Sequence, residues 1–217
     1  MKLVRRFKDG FLMLCLAKRR SGKTTFMSNM LKQQWIEEFG ENNIYLIYPD
    51  IFTPNNQYSY LDINEQNLMD NYDEEVLVEL VRRQKSKKKH GTAKKILIIL
   101  DDCLSEDNFA KNGNNGILST IAVRGRHDLI SVVISSQYIT GMNTKLRANA
   151  DYALVWKLYG KAYHHVSEHF RPTRDRKDFE TYLDDLKKYE FILIDYVDMR
   201  LWKYLVNEKK FKLLLNF

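Results

Sequence analysis

The chain has 217 residues, 44% of them hydrophobic and 29% charged, with a formal net charge of +7. This is the size of one large domain, since single cores stop growing only above roughly 250 residues, and the balance is that of an ordinary soluble chain. The basic excess is compatible with a nucleic-acid partner without requiring one, and no apolar stretch reaches the roughly 18 residues that would suggest a membrane span.

The N-terminal Met1 to Lys8 is basic. The apolar run Phe11 to Ala17 passes straight into Lys18-Arg19-Arg20 with no small-residue cleavage site, so a removable leader is not expected. Phe11 to Leu16 is a continuous apolar run, as a strand buried on both faces requires. Lys23 to Phe39 carries Phe26, Met30 and Leu31 at helical spacing, and Gly40 ends it. Asn43 to Tyr48 predicts a second strand, stopped by Pro49. Residues 51 to 71 are polar and irregular. Glu74 to Lys88 predicts a helix with Val76, Leu77, Leu80 and Val81 toward the core. From Arg82 to Lys95 the chain holds eight Lys or Arg and no acid. Ile96 to Leu100 is the most apolar strand, closed by Asp101-Asp102, and Asn108 to Asn115 is a Gly/Asn-rich loop. Gly116 to Arg126 reads as a helix, Ile130 to Ser135 as a strand, Thr144 to Asn149 as a short helix and Tyr152 to Trp156 as another strand. Tyr163 to Lys188 carries one or two helices interrupted by Pro172, and strands at Phe191 to Asp195 and Leu201 to Val206 finish the chain. Alternating strands and helices imply βαβ units around a mostly parallel sheet. Cys15 and Cys103 fall within the apolar runs and do not suggest a disulfide framework, which points to an intracellular reducing compartment.

Two motifs carry chemistry. Ala17-Lys18-Arg19-Arg20-Ser21-Gly22-Lys23-Thr24 matches the phosphate-loop pattern G-x-x-x-x-G-K-[ST] except at its first position. A strand precedes it and an amphipathic helix follows, as the motif requires. Backbone N–H groups at a helix start attract phosphate oxygens, and Gly22 lets the backbone approach them closely. Lys23 brings an ammonium to the terminal phosphates and Thr24 a hydroxyl to magnesium, while Thr25 extends the helix start toward the α-phosphate. Ala at position 17 would be strained if that position needed a backbone angle open only to glycine. The second motif is the strand ending in Asp101-Asp102. Asp101 is the candidate magnesium partner through water, and Asp102, one residue on, the candidate base for the attacking water. Gln137, at the tip of the following strand after Ser135 and Ser136, is a candidate γ-phosphate sensor. Arg147 and Arg126, ahead of Arg124, are candidates for an arginine supplied across a subunit boundary; each has an alternative as an ordinary surface ion pair.

With these pieces in place, the chain resembles the genome-packaging ATPases of the FtsK–HerA superfamily, closest to the poxvirus type. The matching segments are Ala17 to Thr25, Ile98 to Asp102, Arg124-Gly-Arg-His-Asp-Leu-Ile-Ser-Val-Val-Ile-Ser-Ser-Gln137 and Leu146 to Asp151. Ala17 and the basic Lys18-Arg19-Arg20 depart from the family pattern. The resemblance implies a three-layer α/β P-loop NTPase fold of the RecA/ASCE kind, with a mostly parallel central sheet flanked by helices and added C-terminal strands, in one domain spanning 1–217. It also implies an ATP-driven translocase that packages double-stranded DNA into a preformed capsid. ATP and Mg2+ would sit between subunits of a homo-oligomeric ring, with capsid or virion membrane components as partners, in the virion or at the viral assembly site in the host cytoplasm. Lys87, Lys88 and Lys89 would then face DNA without reading sequence; the plain alternative is a solvated helix end. Rival readings are a small-molecule kinase on the same loop, a non-enzymatic component with a degenerate site, and a cellular HerA-type translocase.

Overall fold

The computed structural model describes residues 7–105, 108, 116–205 and 210–217. The expected Gly/Asn-rich loop lies outside them except for Asn108, as do the basic residues 1–6 and Val206.

Among the described residues nine strands form one sheet: β1 (Leu12–Leu16), β2 (Ile44–Ile47), β3 (Leu68–Met69), β4 (Ile96–Asp101), β5 (Ile130–Ser136), β6 (Tyr152–Trp156), β7 (Phe191–Asp195), β8 (Arg200–Leu205) and β9 (Lys210–Asn216). Their order is β3-β2-β4-β5-β1-β6-β7-β8-β9. Pairing is parallel from β3 to β6 and antiparallel from β6 to β9. This is the expected mostly parallel sheet with added C-terminal strands. The central strands are buried on both faces because helices cover both, and so β1 and β4 read as near-continuous apolar runs, while β5 also buries Ser131, Ser135 and Ser136.

Alternation along each strand sorts the core. Leu12, Leu14 and Leu16 of β1, with Ile98 and Leu100 of β4, pack beneath α3 (Glu74–Lys89), α4 (Ile117–Arg124), α5 (Thr144–Ala148), α6 (Gly160–His169) and α7 (Arg176–Asp184). Met13 and Cys15, with Leu97 and Ile99, face the other way. There they meet Phe26, Met27 and Met30 of α1 (Lys23–Met30), which continues through a π-helical turn at Leu31–Trp35 into α2 (Ile36–Phe39). Asp101 follows Leu97 and Ile99 in alternation, so it shares the face of α1.

Four details differ from expectation. β3 and β9 are not marked by the sequence pattern; β3 has two residues, and β9 alternates too weakly in hydrophobicity to stand out. Val76 is exposed, whereas Gln84 is buried because its amide donates to the Lys94 carbonyl at 2.7 Å. Cys103 lies beyond the end of β4 rather than inside a strand. Both cysteines are free thiols. Among the described residues no helix is long and apolar enough to cross a membrane.

Candidate active site

The parallel strands end together. Leu16 pairs with Ser136 and Val155, and Asp101 pairs with Ser135. The sequence motifs therefore converge on one edge of the sheet, where functional groups of open α/β sheets gather. The loop after β1 turns through Arg20 (φ 58) and Gly22 (φ 96), both left-handed. Ala17 is fully buried and is not among the described residues with left-handed backbone. The departure from glycine at position 17 thus carries no strain, contrary to the concern raised by the motif alone.

No side chain caps the start of α1, and no acid lies in its first turn. α3, by contrast, is capped by Asp73. The free amides and the positive end of the α1 dipole therefore remain open to an anion. Lys23, the first residue of α1, is buried at 4% exposure. Its ammonium donates to Asp102 Oδ2 at 3.0 Å and to the Ala17 carbonyl at 3.4 Å. Asp102 itself is left-handed (φ 50), which turns the chain out of β4 and aims the carboxylate at Lys23.

Asp101 is fully buried, and Tyr58 donates its hydroxyl to Asp101 Oδ2 at 2.9 Å. Burial, with the charge of Asp102 behind it, pushes the Asp101 carboxyl above the ordinary range, while the hydroxyls of Ser135, Tyr58 and Thr24 pull it back. Burial and the nearby Asp101 raise the Cys15 thiol far above its usual value, which makes it inert.

A cleft of ≈ 370 Å³ opens over this edge, lined by Lys18, Arg20, Ser21, Gly22, Lys23, Thr24, Thr25, Gln57, Asp102 and Tyr189. Among the described residues two buried oxygens lining it, Ser21 Oγ and Asp102 Oδ1, have no hydrogen-bond partner. Unsatisfied buried polar atoms are uncommon, and such oxygens beside Lys23 fit a bound polyanion with its cation. Hydroxyls at Ser21 and Thr24, carboxylates at Asp101 and Asp102 and the ammonium of Lys23 form a donor set suited to a phosphate chain and a hard divalent cation.

The other expected residues fall differently. Gln137 follows β5 directly, beside Ala17, whose amide donates to Ser136 O at 3.4 Å. It is at the right edge but does not line the cleft. Arg126 precedes β5 at the opposite edge, its Cα 2.6 Å from where a Cβ on Gly10 would stand. It is largely exposed and pairs with Asp151 at 2.7 Å. Arg147, on α5, turns inward to the Met142 carbonyl at 3.1 Å and His165 Nε2 at 3.0 Å. Neither arginine belongs to the cleft of its own chain. Tyr58 and Gln57 do not stand out in the sequence, because they lie in the irregular polar stretch after β2. Only the length of that stretch marks it, since long structureless insertions in compact domains are often functional. Ser28 Oγ donates to the Gln57 carbonyl at 3.1 Å and also hydrogen-bonds the Tyr60 hydroxyl, which ties the stretch to α1.

A phosphate loop after β1, an acid pair after β4 and a strand inserted between them define a P-loop NTPase fold. A family model described as Poxvirus A32 protein matches residues 3–178, and the chain belongs to this family. Among solved structures it is similar to the genome packaging NTPase B204 of Sulfolobus turreted icosahedral virus 2 in complex with AMPPCP, with 13% identity, TM-score 0.61 and coverage of 95% of this chain and 98% of that one. B204 of Sulfolobus turreted icosahedral virus, described as a DNA-packaging ATPase, gives 16% identity, TM-score 0.57 and coverage of 96% and 98%. The cytoplasmic domain of the type VII secretion ATPase EccC of Thermomonospora curvata gives 12% identity and TM-score 0.60 over 88% of this chain but 25% of that one. None of the curated protein sequences matches the chain significantly. The resemblance read from the sequence is borne out for the family and the fold.

Proposed function

We propose that this chain is an ATPase that moves double-stranded DNA into a viral capsid, binding MgATP in the cleft between the loop after β1 and the end of β4. The observation that carries this reading is the Lys23 ammonium 3.0 Å from Asp102, inside a loop whose helix start is left uncapped. Family membership and the likeness to the B204 packaging NTPases, solved with AMPPCP and ATP-gammaS, support it.

In this reading the amides of residues 18–24 and the Lys23 ammonium hold the phosphates. Thr24 and Asp101 would hold magnesium, which when bound withdraws charge from the transferring phosphoryl group. Tyr58 fixes the orientation of Asp101 by its hydrogen bond. Asp102 is close enough to Lys23 to border the terminal phosphate, and it accepts the proton of the attacking water. Gln137, at the tip of β5, senses the γ-phosphate. Arg126 and Arg147 lie away from their own cleft, so either acts from a neighbouring subunit of a homo-oligomeric ring. Exposed Lys87, Lys88 and Lys89 at the end of α3 contact DNA phosphates, and the protein works at the viral assembly site with capsid or virion membrane components.

The deciding experiment is phosphate release by the purified chain with and without duplex DNA, alongside the mass of the assembly in solution. Release that DNA stimulates and that Lys23→Ala abolishes supports the motor. Unchanged release from Lys23→Ala overturns the site, and phosphate transfer from ATP to a nucleoside or nucleotide acceptor points to a kinase instead.

A further inference from the structure

The sheet order fixes which way a bound nucleotide must lie. β1 has β5 and then β4 on one side, and β6 and then β7 on the other. The acids at the end of β4 draw the terminal phosphate and its cation toward β4, so the nucleoside leaves the loop toward β6 and β7. On that side Tyr189, in the turn leading into β7, lines the cleft together with Asp102. Its Cδ1 is 3.5 Å from where a Cβ on Gly22 would stand, so the ring lies against the phosphate loop itself.

Three features mark Tyr189 as more than a surface residue. It is 46% exposed, although it is a large aromatic side chain. Its backbone is left-handed (φ 68), which is costly for a bulky side chain and is kept only where surrounding structure imposes it. The imposing structure is visible. Buried Lys203 on β8 reaches into the turn, with its ammonium 2.6 Å from Asp185 Oδ2, 2.8 Å from the Asp185 carbonyl and 3.1 Å from Glu190 Oε2. Glu190 Oε2 also accepts the Lys187 amide at 2.9 Å, and the Glu190 amide donates to the Lys187 carbonyl at 3.1 Å. The backbone of the turn is thus pinned to β8, and it sets the ring beside the phosphate loop, with the Lys188 ammonium 4.9 Å from the ring centroid.

The geometry points to Tyr189 as the platform on which the nucleobase of the bound nucleotide stacks. This inference rests on the proposed nucleotide site and adds to it the group that recognises the base. An aromatic ring on a pinned turn loses little conformational freedom when it takes up a flat base, and stacking tolerates any base because each has a π-face. Tyr189 therefore separates nucleoside triphosphates from bare polyphosphate rather than one purine from another.

The test compares MgATP with magnesium tripolyphosphate by calorimetry on wild type, Tyr189→Ala and Tyr189→Phe. Because the side chain is half exposed, Tyr189→Ala leaves the core intact, and melting temperature checks this. Tyr189→Ala should weaken ATP roughly 5- to 150-fold while leaving tripolyphosphate unchanged. Tyr189→Phe keeps the ring and should bind ATP within about twofold of wild type. Quenching of etheno-ATP fluorescence on binding should persist in Tyr189→Phe and vanish in Tyr189→Ala. Equal loss of ATP and tripolyphosphate overturns the inference, because the ring would then only shape the loop, and unchanged ATP affinity overturns it too. If wild type binds neither ligand, the nucleotide site itself is wrong and this inference falls with it; if wild type binds both, the two failures remain distinct.

Discussion

Replacing Asp102 with Asn tests the centre of the site. Asn is the suitable replacement because position 102 is left-handed (φ 50), and Asn tolerates that conformation where Ala would add strain. The substitution removes the negative charge 3.0 Å from the Lys23 ammonium, whose side chain is 3% exposed while that of Asp102 is 27% exposed. A charge-assisted hydrogen bond of this kind contributes about 1.5–3 kcal/mol. Part of that survives, because the Asn carbonyl still accepts, and partial solvent access at Asp102 screens the pair. The loss should be about 1–2 kcal/mol, or about 2–8 °C in melting temperature at roughly 2–4 °C per kcal/mol for a domain of this size. Saturating MgATP should narrow the gap, because the phosphates supply Lys23 with the missing anion. Turnover should fall by about 10²- to 10⁴-fold with ATP binding retained, since loss of a general base acts on the chemical step. Fluorimetric melting with and without MgATP, together with single-turnover phosphate release, reads all three quantities. Wild-type turnover by Asp102→Asn would refute the assignment of the base, and an unchanged melting temperature would refute the ion pair.

Two further outcomes follow from the geometry. The folded state raises the Asp101 carboxyl above the ordinary range, so its stabilising contribution is full at low pH and is lost as pH rises from that range through the raised value. Asp101→Asn, neutral throughout, should therefore melt higher than wild type at pH 7 without magnesium. The difference should close toward pH 4; a lower melting temperature at pH 7 would show the buried charge to be well accommodated. Changing Lys87, Lys88 and Lys89 together to Gln should weaken binding of two unrelated DNA duplexes equally and lower the slope of log affinity against log salt by about 2–3, near 0.9 for each DNA phosphate no longer neutralised. An unchanged slope would mean that the three lysines serve the fold alone, by favourable interaction with the negative end of the α3 dipole and, for Lys88, by donating to the His127 carbonyl.

The buried strands were the most legible part of the chain. Leu12–Leu16 and Ile96–Leu100 are covered by helices on both faces, so they carry unbroken apolar runs that stand out at once, and Ile130–Ser136 is marked by its β-branched Ile130, Val132, Val133 and Ile134 although Ser131, Ser135 and Ser136 are buried with them. β9 is hidden in the sequence because it pairs only with β8 at the edge of the sheet, and its half-exposed residues give no clean alternation. Val76 shows the limit of helical spacing: it belongs to the apolar set of α3, but the stripe that meets the sheet runs through Leu77, Val81 and Gln84. A polar residue joins that stripe because a backbone carbonyl is waiting for it.

The candidate site divides along the same line. Groups that act through local sequence, Gly22, Lys23 and Thr24 at the start of a helix and Asp101-Asp102 at the end of an apolar strand, were legible because their spacing is set by one turn of chain. Tyr58 and Tyr189 were not, because each reaches the site from a segment whose only relation to it is tertiary. Tyr58 comes from the stretch between β2 and β3, which Ser28 of α1 ties down through the Gln57 carbonyl, and its hydroxyl donates to Asp101. Tyr189 comes from the turn that begins the antiparallel half of the sheet, beyond the last parallel strand. The phosphate chemistry of the site is thus written in two short motifs. Tyr58, hydrogen-bonded to Asp101, and Tyr189, against the phosphate loop, are supplied by segments outside those motifs.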